Sequence, residues 1–269
     1  MNPLPSSERS RRGSSWVEVA VVIAVLVVGA MMVLPSLTRT RRHAHPIACV
    51  NSLKQVGTAF RLYANDYEGK YPFQVLAEEA RSKTNSSPFG PFDPTNPAEL
   101  WRVLQAAGNE LSSPRILICP ADEDRVSATD FNEGQGLTAQ SFSHPTQRLK
   151  ALSYFYGLNA REDDPNQLVT GDRNLTSAGT DTNPTKSLLT GQVDLAQFFK
   201  DPKTPNGNLR WGLGLHDKAG NVGFSDGSVQ QLTSGKLREA AGIATTNGFA
   251  LYGAKQNPLW LPNLPEPKR

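Results

Sequence analysis

The sequence predicts an α+β fold: a long N-terminal helix, apolar in its first half and amphipathic in its second, packed on an antiparallel β-sheet head with inserted helices and loops. Three observations predict it. Residues 16–34 are apolar or small apart from Glu18, and a helical apolar stripe continues to about residue 66. Short apolar runs bounded by Pro, Gly and Asn follow, and one pair of them flanks Asp226-Gly227. Gly and Pro are frequent after about residue 85, as expected of a loop-rich head.

The first apolar run is just long enough to cross a bilayer core as a helix. Glu18 stands near its start. A carboxylate costs about 2.5–3.5 kcal/mol at the centre of such a helix and less near the headgroups. Glu18 therefore either snorkels to the interface or has a partner. After Pro35, the residues Val50, Leu53, Gly57, Phe60, Ala64 and Tyr67 recur at steps of three and four, one stripe of an amphipathic helix. Asn65, Asp66 and Gly69 are stop signals. One helix over about 14–66 is the simplest reading, with Pro46 kinking or breaking it. Two helices meeting near Pro46 is the alternative.

In the head, Asn96 is placed to cap a helix, with Pro97 in its first turn and Glu99 three residues after the cap. Leu100, Leu104 and Ala107 form its stripe, and Gly108 is placed to close it. Residues 115–119, 152–158 and 187–190 read as strands. Residues 221–224 and 228–232 read as a hairpin turning at Asp226-Gly227. A short helix over 236–241 ends at Gly242, and the tail 258–265 is too Pro-rich for a helix or a sheet interior.

Several chemistries are excluded. The 28 Lys and Arg exceed the 25 Asp and Glu by only three, so no general affinity for nucleic acid is implied. No phosphate loop and no basic-aromatic surface is present. No C-x-x-C occurs and the four His are scattered, so a structural zinc site is not expected. Cys49 and Cys119 are either free thiols or one disulfide, and the compartment decides which. The stretch 223–227 matches G-x-S-x-G, but a nucleophile elbow needs a helix after Ser225 and a later His, and His216 is the last one. The Asp-Gly pair is better read as a hairpin turn in which Gly227 supplies positive φ. His216 and Asp226 are either a ligand or acid/base pair, or structural, with the Asp capping the turn. Asp122 and Asp124, in the acidic loop with Glu123 and Asp130, are candidate calcium ligands without the EF-hand spacing; a solvated loop is the plain reading. No set of residues reads as catalytic, and the expectation is a protein that is not an enzyme.

The N-terminus fits neither an ordinary secretory signal, since no small-x-small site follows the long apolar run, nor a twin-arginine signal, whose continuation is absent. The stretch Arg11-Arg12-Gly13-Ser14-Ser15-Trp16-Val17-Glu18 instead resembles a prepilin processing site. The resemblance implies cleavage by a prepilin peptidase between Gly13 and Ser14, which makes Glu18 the fifth mature residue and Pro35 the twenty-second, both matching the family pattern. Ser14 stands where Phe is usual, which leaves N-methylation open. His216 to Asp226-Gly227 matches the His-x9-Asp-Gly motif of large-headed pilin-like proteins. Residues 49–55, 61–66, 118–122 and 223–230 look like further landmarks of that group.

From this resemblance follow a leader 1–13, a transmembrane half-helix 14–35, an amphipathic half 36–66, a head 67–242 and a Pro-rich tail 243–269. The expected protein is a structural subunit of a type II secretion pseudopilus or a type IV pilus-like assembly, with Glu18 and Pro35 serving assembly. Its partners would be the peptidase, other pilin-like subunits, the assembly machinery and the membrane, with no nucleic acid. It would be a single-pass protein of the inner (cytoplasmic) membrane with its head outside the cytoplasm. Three Arg on either side of the apolar run leave the charge rule undecided on topology. An outside head would join Cys49 to Cys119. No cofactor is expected beyond the calcium that some pseudopilins carry. The alternative is an anchored envelope protein with a ligand-binding or enzymatic head that uses the prepilin helix only for export.

Overall fold

The computed structural model describes residues 16–81, 93, 96–99, 101–176, 189, 191–193, 209–212, 215–216, 219–242 and 259–262. The chain forms two compact units, Met1–Ala44 and His45–Arg269. Helix α1, Trp16–Asp66, begins in the first unit and runs through both Pro35 and Pro46, so it does not split at Pro46. A proline removes one N–H from the ladder but leaves the bonds of the adjoining turns available.

In the first unit the apolar side chains are exposed, from Trp16 at 77% to Met31 at 68%. Glu18 lies in the first turn of α1. Among the described residues no helix is long and apolar enough to cross a membrane. The span expected over 14–35 lies partly outside them, as do the processing residues Gly13 and Ser14 and the side chain of Pro35.

The second unit is a mixed α+β head built on an antiparallel sheet. Its strands are β1 Tyr154–Gly157, β2 Leu168–Asp172, β4 Gly191–Val193, β6 Ala219–Phe224, β7 Val229–Thr233 and β8 Leu259–Leu261, in the order β4-β8-β1-β2-β6-β7. A separate ribbon pairs β3 Leu175–Thr176 with β5 Arg210–Trp211. Alternation along the strands divides two cores. Tyr154, Tyr156, Val169 and Trp260 join Leu53, Val56, Phe60 and Tyr63 of α1 on one face. Phe155, Leu168, Leu259 and Leu261 join Trp211, Leu237 and Ala241 on the other. Each fully buried side chain of this size contributes about 1.5–3 kcal/mol.

The buried stripe of α1 differs from the expected one. Cys49, Val56 and Tyr63 belong to it, Val50 and Gly57 lie at its margin, and Tyr67 is exposed. Tyr67 follows the last helical residue and stacks on Tyr63 with ring centroids 4.2 Å apart. Helix α1 ends as its stop signals require: Gly69 takes φ of +77° and its N–H donates to the Ala64 carbonyl at 2.8 Å.

Three further expectations change. The strand expected over 115–119 is a 3-10 turn, Pro114–Leu117, capped by Ser113, whose hydroxyl accepts the Arg115 N–H. Pro114 after a capping Ser favours a helical first turn over a strand. Asn96 caps only a 3-10 turn, Pro97–Glu99, before α2 Trp101–Ala106, and Gly108 opens a second short helix, α3 Gly108–Leu111, instead of closing the first. The strand expected over 187–190 lies outside the described residues except for Leu189, and β4 follows at Gly191–Val193. The Pro-rich tail supplies β8, which pairs with both β1 and β4 in the sheet interior. Pro258 and Pro262 flank this strand, so its three residues keep the N–H groups that both ladders need.

The hairpin is present. Strands β6 and β7 pair in register from Ala219–Thr233 to Gly223–Val229, and Gly227 takes φ of +84° in the turn. Among the described residues, 234–242 are helical.

Candidate functional site

Four buried side chains from four separate stretches of chain meet beneath α1. Cys49 comes from the stripe of α1, and Cys119 follows the 3-10 turn, with its carbonyl accepting the Asp122 N–H at 2.8 Å. The two cysteines form a disulfide, with Cα atoms 5.1 Å apart across a sequence separation of 70. On the chain-entropy account, closing such a loop contributes roughly 4 kcal/mol, with native strain lowering the figure. It ties α1 to the loops that lead into β1.

His216 is fixed just before β6 by its bridge to Ala219. Its Nε2 lies 3.4 Å from the Cys119 Sγ and 3.5 Å from Oδ2 of Asp172, the last residue of β2. Oδ2 of Asp172 accepts two further hydrogen bonds, from the Asn221 N–H at 2.6 Å and from Asn221 Nδ2 at 3.0 Å. The other oxygen, Oδ1, is buried without a hydrogen-bond partner among the described residues. Cys49, Cys119 and Asp172 are 0% exposed. The sulfurs and a ring nitrogen of His216 all lie within 4.8 Å of one another.

Burial pushes the Asp172 carboxyl up to about 7, against the opposing pull of the Asn221 hydrogen bonds and with a smaller upward push from Asp122. An unfolded Asp titrates near 3.9. The native state therefore holds a proton that the unfolded state has lost between about pH 4 and 7. Stability should fall as pH rises through that window and level off above it. Thermal melts of the wild type from pH 4 to 8 should show the decline, and Asp172→Asn should flatten it. Equal slopes would mean that Asp172 does not titrate over this range.

Beside this cluster lies a buried ion network. Arg173 grips both oxygens of Asp122, Nε to Oδ2 at 2.7 Å and Nη2 to Oδ1 at 2.6 Å. Arg125 approaches Oδ2 at 3.9 Å and donates to the carbonyls of Leu149 and Pro262, both at 3.0 Å. Burial, with Arg173 next, lowers Arg125 to about 10, so it remains a cation at neutral pH. Asp124 is exposed and reaches Arg173 Nη2 at 3.4 Å. This bears on the calcium reading of Asp122 and Asp124 and takes Asp122 out of the solvated loop expected for it. Asp122 already neutralises guanidinium charge, and a second cation there would meet two positive neighbours.

The His-x9-Asp-Gly motif is not one site. His216 precedes β6 and is buried, whereas Asp226 follows it and is exposed, about 17 Å of strand away. Asp226 caps its own turn, accepting the Ser228 N–H at 2.8 Å. Ser225 is buried, bonds to the Gln167 carbonyl and is followed by a strand, so no nucleophile elbow exists. Sequence reasoning missed Asp172, Arg173 and Asn221. The run Gly171-Asp172-Arg173-Asn174 reads as a polar turn, and only strand pairing brings it beside Cys119.

No protein-family model matches this chain, and neither a curated protein nor a solved structure does.

Proposed function

We propose that the chain is a prepilin-type structural subunit of a type II secretion pseudopilus or type IV pilus-like assembly, processed by prepilin peptidase after Gly13. The observation that carries the reading is the start of α1, where Glu18 sits in the first helical turn among exposed apolar side chains reaching to Met31. Such a surface is unfavourable in water and calls for lipid or other apolar helices as its cover. Cleavage after Gly13 would create an ammonium at Ser14, four residues before the carboxylate. Unpaired charge is costly there, so the amine and Glu18 pair within one helix or between neighbours. The intersubunit pairing sets axial register and is the version the resemblance favours. The buried disulfide supports an oxidising compartment for the head.

The test is co-expression of tagged wild-type and Glu18→Ala chains with crosslinking between subunits, and N-terminal sequencing of each. The mutant should enter the membrane and lose its leader, yet crosslink at least about tenfold less, as expected for an unpaired buried charge costing over 1.4 kcal/mol. Gly13→Leu should keep its leader. Equal crosslinking by Glu18→Ala would sink the assembly role and leave the second reading, an anchored envelope protein with a ligand-binding or enzymatic head.

A further inference from the structure

We propose that Cys49, Cys119, His216 and Asp172 form a tetrahedral site for a divalent metal ion of the zinc kind in the dithiol form of the chain, and that the disulfide is its metal-free alternative. Two thiolates, one imidazole and one carboxylate make a donor set that suits Zn2+. Two of the six donor–donor spacings can be set against that geometry, since the two sulfurs are bonded to each other in the disulfide and Asp172 lies outside the group of three donors that fall within 4.8 Å of one another. Bond lengths of about 2.3 Å to sulfur and 2.0–2.2 Å to nitrogen and oxygen give tetrahedral edges of about 3.5 Å for S–N and about 3.4 Å for N–O. Cys119 Sγ lies 3.4 Å from His216 Nε2, and the Asp172 carboxylate comes within 3.5 Å of the same nitrogen through Oδ2. The donor atoms of Cys49, Cys119 and His216 lie together, within 4.8 Å of one another.

A second observation points to a ligand independently. Asp172 is 0% exposed and its Oδ1 has no hydrogen-bond partner among the described residues. A buried carboxylate oxygen left unsatisfied is costly, and a metal ion taken by Oδ1, while Oδ2 keeps its two Asn221 bonds, would remove that cost. Second-neighbour groups are also in place: Asn221 orients the carboxylate through two hydrogen bonds. The filled site would carry one net negative charge from two thiolates, one carboxylate and a dication.

The two forms exclude each other because disulfide sulfur has no thiolate to offer. Metal entry into the dithiol releases one proton from each thiol. Closing the disulfide instead transfers two electrons to a disulfide-class oxidant, with loss of the same two protons. A dithiol or phosphine reductant returns the disulfide to the metal-competent form. The site thus belongs to the chain before oxidation, when the disulfide that later ties α1 to the head does not yet exist.

Cobalt(II) tests this directly on the purified full chain. With the chain reduced by a phosphine under argon, titration should end at one Co2+ per chain. Thiolate-to-cobalt absorption in the near-ultraviolet and tetrahedral d–d bands in the visible should appear, and Zn2+ should abolish both. The oxidised chain should show neither. His216→Gln should weaken Co2+ at least about 100-fold and shift the visible bands, and Asp172→Asn should shift them while the thiolate band remains. Absence of the thiolate band in the reduced wild type would overturn the proposal. So would a His216→Gln spectrum and affinity equal to wild type, since the metal would then be held by the two cysteines without the rest of the site.

Discussion

Arg173→Met is expected to destabilise the head by about 3–5 kcal/mol, because it removes the main partner of a buried carboxylate. Asp122 is 6% exposed, and Arg173 accounts for its two short contacts. Methionine matches much of the side-chain volume, so packing is largely kept and the charge is what changes. Arg125, 3.9 Å away and already engaged with two carbonyls, cannot replace a bidentate partner. Asp122→Leu alone should also be costly, since two guanidiniums then face each other without their shared anion. The double variant should recover part of the loss. Thermal unfolding of the full chain followed by near-ultraviolet circular dichroism would give the three values, with a drop of about 10 °C expected for Arg173→Met. Additive single effects in the double variant would show that the pair is not coupled.

Gly171→Ala should be worse still and should prevent the native sheet from forming. A Cβ at residue 171 would lie 2.6 Å from two ring carbons of Phe155 and 2.8 Å from the Asn221 carbonyl oxygen. Phe155 is the cross-strand partner of Gly171, and its ring covers the glycine. The ring could turn away, but the carbonyl belongs to β6 and cannot retreat without parting β2 from β6. That would also pull the Asn221 N–H from Asp172. The consequence reaches the site, because Asp172 is the next residue. Gly57→Ala is the control: nothing lies within 4 Å of its Cβ position in α1, and better helix propensity should stabilise by up to about 1 kcal/mol. A soluble Gly171→Ala chain melting within about 2 °C of wild type would refute the steric argument.

Local chemistry explains which features were legible. The end of α1 was readable because Gly69 and the residues before it act within one turn. The β6–β7 hairpin was readable because Asp226 and Gly227 carry their own turn geometry. The 3-10 turn at Pro114–Leu117 was misread as a strand because its apolar residues suit either state. What decides it is the Ser113 cap and the way the Leu117 carbonyl accepts the Ser153 N–H. Strand β8 is hidden by composition, since its Pro-rich surroundings speak against a sheet interior. Its interior place depends on β1 and β4, more than 65 residues away.

The candidate site was half legible. Cys49, Cys119 and His216 stood out as residue types that carry chemistry, and the sequence motif tied His216 to Asp226. Folding instead pairs His216 with Asp172 and Cys119, because the antiparallel ladders bring the end of β2 beside the start of β6 while Asp226 is carried to the far end of the same strand. By itself the sequence determined the elements whose causes are local: the apolar start of α1 with Glu18 in its first turn, the stop at Gly69 and the Asp-Gly turn. Tertiary structure alone decided that a histidine and an aspartate share one buried space with the cysteine pair, because burial and long-range pairing are properties of the assembled sheet and leave no trace in residue spacing.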